Sequence, residues 1–182
     1  MPELKLEIKS RDVEYALSLI INRVRNPAGL MHNIATDLAS RTDKAFRAKA
    51  SPDGKAWAPL SMVTLHMRGL RAAKGRQTGR NGKVLAAYKR GSSDTEQLFV
   101  TGGLLRSVRA ESSSTQAIVT AGPHPSGVAI HQFGGKAGRG RKVTIPARPF
   151  MPLTLRGNEL ELMPVAEKSV LFTIRRYVEK GL

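Results

Sequence analysis

The chain of 182 residues has no cysteine. This excludes a disulfide framework, a thiolate nucleophile and any cysteine-based metal centre, and it fits a reducing compartment. Aromatic residues are scarce at 5%, and they are not interleaved with arginine in the way that stacks the bases of a single strand. Long apolar runs are missing as well. Leu17 to Ile21 is broken by Ser18 and is far too short to span a bilayer. The opening Met1-Pro2-Glu3-Leu4-Lys5 lacks the apolar segment of a secretory signal. The expectation is a chain with no membrane partner.

Acidic residues are the most informative shortage. There are 14 Asp and Glu against 30 Lys and Arg, a formal charge of +16. So basic a chain is expected to meet a polyanion, with nucleic acid the first candidate. The excess is clustered: from Gly54 to Ser93 there is no carboxylate at all.

The missing chemistry points the same way. His32, His66, His124 and His131 do not stand at metal-ligand spacing. No carboxylate pair sits in an apolar context suited to acid–base work, and no Gly-x-Ser-x-Gly elbow occurs. Gly102-Gly103 lacks the Gly-Lys-Ser/Thr ending of a phosphate loop. The acidic residues form no cluster for two-metal nuclease chemistry. The expectation is a protein without enzymatic activity, cofactor or metal.

What is present is a single domain over 1–182, with an apolar content of 41% that suits a globular core. Leu4 to Ile8 alternates apolar and charged, as a half-buried strand does. Val13, Leu17, Ile20, Ile21 and Val24 then fall on one helical stripe. Asn26 and Pro27 suit a cap and first position for a second helix, whose apolar residues are Leu30, Ile34, Leu38 and Phe46, with Thr42 on its polar side. These two helices are expected to pair against a sheet.

Ser51-Pro52-Asp53-Gly54 is a turn by its chemistry, and Trp57 after it reads as an anchor to the core. Ser61 is placed to cap a short helix through Met67. The stretch 69–95 reads as an extended basic loop with one apolar island, Val84 to Tyr88. Its cations are the expected phosphate contacts: Arg71, Lys74, Arg76, Arg80 and Lys83, preceded by Arg68. Thr101 is placed to cap a short helix carrying Leu104 and Leu105, and residues 107–121 read as a hairpin.

The organising stretch comes next. Gly127 to Ile130 reads as a strand ending in His131 and Gln132, and Val143-Thr144-Ile145 as a second strand stopped by Pro146 and Pro149. Between them, 134–142 is a glycine-rich basic arm bearing Arg139, Arg141 and Lys142, expected to order against a partner. Leu153 to Arg156 and Glu159 to Leu162 flank Gly157-Asn158, a two-residue hairpin signal. Pro164 opens a final helix that Gly181 ends. The order predicts an α+β fold, a small antiparallel sheet flanked by an N-terminal helix pair and a C-terminal helix, with long basic loops.

Four segments together resemble a known family. They are Ser51 to Leu60, Thr101 to Ser107, Ala129-Ile130-His131-Gln132-Phe133-Gly134-Gly135, and Ile145-Pro146-Ala147-Arg148-Pro149-Phe150-Met151. In this order they are similar to the phage virion morphogenesis, or tail completion, proteins of Mu-like tailed phages. The resemblance implies a fold like that of tail terminators and neck proteins. It also implies a structural role at the head–tail junction: a ring, of six copies by analogy, that caps the tail tube protein and docks to the head–tail connector proteins. Its location would be the tail or neck of the virion, reached from the host cytoplasm during assembly. The expected subunit contacts are His131, Gln132, Phe133, Gly134, Gly135, Arg148, Pro149 and Phe150. The basic loops would make non-specific contact with double-stranded DNA passing through the ring. A head-side neck protein and a free DNA-binding protein are the alternatives.

Overall fold

The computed structural model describes residues 11–98, 102–122 and 127–179. The expected first strand at 4–8, the cap at Thr101, His124 and the terminating Gly181 lie outside the described residues.

The chain opens with α1 (Arg11–Arg25) and α2 (Ala28–Ala48). In α1, Asp12 and Glu14 occupy the first turn and Arg23 and Arg25 the last, the sign order that the helix dipole favours. The cap of α2 is Pro27 rather than Asn26, and no side chain caps it. At its other end Lys49 takes a left-handed conformation, and its amide reaches back to Ala45 and Phe46. Thr42 is fully buried rather than on a polar face. Its hydroxyl is satisfied by donating to the Leu38 carbonyl at 3.2 Å, which removes the cost of burying it.

The stretch expected as one long basic loop is helical at its two ends, 69–72 and 86–92, while 73–85 is a non-helical connection. Ser61 caps α3 (Met62–Ala72) by accepting from the Thr64 amide, and α4 (Ala86–Ser92) folds back on it. Two glycines allow the close crossing. A Cβ on Gly69 would sit 2.7 Å from the Tyr88 ring, and one on Gly91 would sit 2.7 Å from both the Ala72 Cβ and the Arg68 carbonyl. Composition hid this pair, because glycine and lysine read as loop while their actual use is a tight helix crossing.

The α+β class holds, but among the described residues the strands form three separate two-stranded antiparallel hairpins rather than one sheet. The first, β1 (Arg109–Ser112) with β2 (Ala117–Thr120), follows the short helix α5 (Gly103–Arg106). The expected strand at 127–132 is instead a helix, α6 (Val128–Phe133). The basic arm is itself a hairpin, β3 (Gly135–Ala137) paired with β4 (Val143–Ile145) around a single 3-10 turn, Arg139–Arg141. The third hairpin, β5 (Leu153–Arg156) with β6 (Glu159–Leu162), turns at Gly157-Asn158, and α7 (Pro164–Glu179) closes the fold.

Of the two N-terminal helices, α2 packs on α7 and on the β1–β2 hairpin, and α1 also lies against α7. Two cores result. One joins Leu30, Ile34 and Leu38 of α2 to Ala166 of α7. The other gathers Phe46, Trp57, Leu104, Phe150 and Met151. Phe46 stands edge-on to Trp57 at 5.7 Å and tilted against Phe150 at 5.2 Å. An aromatic trio of this kind contributes about 1 kcal/mol per pair beyond simple burial.

Candidate interface groove

The second core is where the four quoted segments converge. Gln132, on α6, is 4% exposed and makes four hydrogen bonds to one stretch of backbone. Its Oε1 accepts from the amides of Phe150 and Met151, each at 3.0 Å. Its Nε2 donates to the carbonyls of Met151 at 3.0 Å and Leu153 at 2.9 Å. A single side-chain amide therefore serves two amides and two carbonyls of a buried extended segment, a role only Gln or Asn chemistry fills.

Neighbouring bonds lock the same segment. The Arg148 amide donates to the His131 carbonyl at 2.7 Å. The Trp57 indole donates to the Pro149 carbonyl at 2.7 Å, so the turn and anchor expected at 51–57 are both present. Gly134 sits at φ 74°, and a Cβ there would lie 2.9 Å from the Ala147 nitrogen, so the α6-to-β3 corner admits only glycine comfortably. Ser107 ties the remaining segment in, donating to Leu104 and accepting from the Gly122 amide.

Arg148 is buried, 6% exposed. Its guanidinium donates to the carbonyls of Ala58 at 2.8 Å and Pro59 at 2.9 Å, and it makes no ion pair among the described residues. Desolvation, and then the nearby charge of Arg68, push its pKa below the ordinary arginine value. Arg68 in turn holds the chain after α4, donating to the carbonyls of Asp94 at 2.8 Å and Glu96 at 2.7 Å, with the Asp94 carboxylate 3.2 Å away.

In front of these groups lies a groove of about 580 Å³ between the start of α3 and the β4 strand. Its floor is apolar, with Leu60, Leu98, Leu104, Val143 and Ile145. Arg68, Arg71, Arg148 and His131 also line it, and among the described residues no carboxylate does. Volume and lining match a site that accepts side chains of another molecule.

The groove brings together four of the sequence-predicted residues: Arg68, Arg71, His131 and Arg148. Gln132 and Phe150 lie behind it, wholly inside the protomer. Pro149 is half-buried, while Phe133 is exposed at the end of α6 and Gly135 opens the exposed start of β3. Lys74, Arg76, Arg80 and Lys83 are exposed on the α3–α4 connection. Arg139, Arg141 and Lys142 are exposed at the tip of the β3–β4 hairpin. Sequence reasoning missed the groove itself. Its floor comes from short apolar runs at 98, 104 and 143–145 whose meeting is a tertiary fact. No three His, Asp or Glu among the described residues are grouped as metal ligands.

Fold and groove together define a basic α+β protein of small hairpins and flanking helices, with an apolar groove that three arginines also line. The chain belongs to the phage virion morphogenesis family, whose model matches residues 8–179. It is 32% identical over 177 residues to the Mu-like prophage FluMu G protein 2 of Haemophilus influenzae, covering 97% of this chain and 96% of that one. No solved structure matches the chain.

Proposed function

We propose that this virion morphogenesis protein is the repeating subunit of a ring at the head–tail junction, capping the tail tube and joining it to the head connector. The observation that carries the reading is the pairing of a family match along nearly the whole chain with two exposed basic projections, the α3–α4 connection and the β3–β4 hairpin tip. The first needs a role in particle assembly. The second needs an anionic neighbour, and duplex DNA leaving the head supplies one without any base being read. The ring is of six copies in this reading, and the protein has no catalytic activity.

Electron microscopy and light scattering of the purified protein test it. The expected result is closed rings, with antibody label at the neck of intact particles. A protein that stays monomeric at all concentrations and is missing from purified virions would refute the reading. Label on the capsid side of a tailless head would instead favour the head-completion role. The basic surface also supports free, non-specific DNA binding as a second reading. There the observed association constant falls with a steep log–log dependence on salt, and the protein is not incorporated into particles.

A further inference from the structure

The β5–β6 hairpin has an apolar face that its own protomer uses only in part. Leu153 stands opposite Leu162, and Leu155 opposite Leu160, so all four leucines share one face of the ribbon. The inner pair packs against the protein's two cores. The outer pair projects beyond them, Leu155 51% and Leu160 60% exposed. A directly opposed leucine pair left in solvent on a two-stranded ribbon is an unpartnered surface.

The charge around that pair is the reverse of the rest of the chain. Glu159, Glu161 and Glu167 follow one another with no lysine or arginine between them, the one run of three successive acids in a chain of charge +16. Glu161 lies 3.8 Å from Arg156, while Glu159 and Glu167 make no ion pair among the described residues. The groove shows the complementary features: an apolar lining, three arginines and, among the described residues, no lining carboxylate. Arg71 there is exposed and makes no ion pair among the described residues. No residue of the β5–β6 hairpin lines the groove of its own protomer, so the match is not used within one copy.

We propose that the groove receives the tip of the β5–β6 hairpin from a second copy of this chain, with Leu155 and Leu160 on its apolar floor and Glu159 against Arg71. Each copy then offers one hairpin and one groove. Such a contact is head-to-tail and repeats until a ring closes. The apolar floor argues against DNA as the occupant, since phosphate gains nothing from leucine and valine. The contact rests on the ring reading and identifies the surfaces that build the ring. The leucine pair supplies the buried anchor and the acid fixes direction and register.

The lack of cysteine makes disulfide trapping clean. Leu160→Cys and Val143→Cys are purified separately, checked for native unfolding behaviour, mixed and oxidised. The mixed disulfide is expected in high yield, with little dimer from either variant alone. A Ser113→Cys control on the β1–β2 turn should trap no partner. In the unmodified background, Glu159→Arg and Arg71→Glu should each weaken assembly by about tenfold or more, and combining them should restore it.

Light scattering of the wild type separates the two levels of the claim. If the wild type assembles, and yet the mixed disulfide does not exceed the control and both charge reversals leave assembly unchanged, the hairpin–groove contact is wrong and the ring reading survives. If Leu160→Cys alone forms the dimer, the contact is symmetric and the head-to-tail proposal fails. A wild type that never assembles overturns the ring reading and this contact with it.

Discussion

Replacing Gln132 by leucine tests whether one side chain holds the candidate surface together. Leucine keeps roughly the volume of glutamine but removes four hydrogen bonds of 2.9–3.0 Å. The amides of Phe150 and Met151 are then stranded, in residues that are 0% and 9% exposed. Each buried donor left unsatisfied costs about 1–3 kcal/mol, while the Met151 carbonyl keeps the Leu153 amide as a partner. Burying the extra methyl carbon returns about 1 kcal/mol. The expected net loss is about 3 kcal/mol, a large share of the about 5–15 kcal/mol available to a domain. In urea, with a slope of about 2 kcal/mol/M, the midpoint should fall by about 1.5 M at unchanged slope. Phe133→Ser, one residue on and exposed, should move it far less. A Gln132→Leu midpoint within about 0.3 M of wild type would refute the clamp. Gln132→Glu adds a pH signature. Its carboxylate keeps the two accepted bonds, but its other oxygen faces two carbonyls, so the protonated form is favoured and the folded pKa is raised. Stability is then full below the unfolded value of about 4.3 and is lost as the pH climbs through the raised folded value.

Three further perturbations follow from geometry. Gly91→Ala puts a Cβ 2.7 Å from the Arg68 carbonyl and the Ala72 Cβ, so α4 must move off α3; protease cutting between 73 and 85 should accelerate, with a loss of about 1–3 kcal/mol. Trp57→Phe keeps the packing on Phe46 but strands the Pro149 carbonyl; a loss of about 1–2 kcal/mol is expected by circular dichroism on denaturation. The Ser51 hydroxyl and the Lys55 amide hold the Asp53 pKa below the usual carboxylate value. Its contribution is therefore present above the unfolded value of about 3.9 and lost as pH falls through the lower folded one. Asp53→Asn should accordingly melt slightly below wild type at neutral pH and level with it in strong acid.

Elements with an unambiguous local code were readable from sequence. The helix α1, the Ser61 cap of α3, the Gly157-Asn158 turn of β5–β6 and Pro164 at the start of α7 all appear at the expected places. Errors fell where tertiary packing overrode local preference. Val128-Ala129-Ile130 has strand-forming residues, yet it is helical because Gln132 must face inward to meet the Phe150–Leu153 backbone. The two ends of the basic stretch after Gly69 are helical, and Gly69 and Gly91 remove the side chains that would keep α3 and α4 apart. Thr42 looked polar and is buried, its hydroxyl satisfied by the preceding turn. Of the groove, the arginines and His131 were predicted from sequence; its apolar floor was not, because its residues come from strands and loops far apart in the chain.

The residues that look most like a binding signature turn out to divide their labour. Gln132, Phe150 and the Trp57 anchor face inward and fix the shape of the wall. Arg148 does both, spending two donors on Ala58 and Pro59 while its charge stays at the groove beside that of Arg68. Burying a guanidinium against carbonyls, with a second guanidinium nearby and no paired carboxylate of its own, is unfavourable in an isolated subunit. An incoming carboxylate would offset that cost only in the assembled state. In the proposed ring the groove would thus be a surface whose electrostatics improve on contact with an acidic partner. On this argument wild-type thermal stability rises with protein concentration, and Arg71→Glu flattens the dependence more than it lowers the melting temperature of the dilute protein.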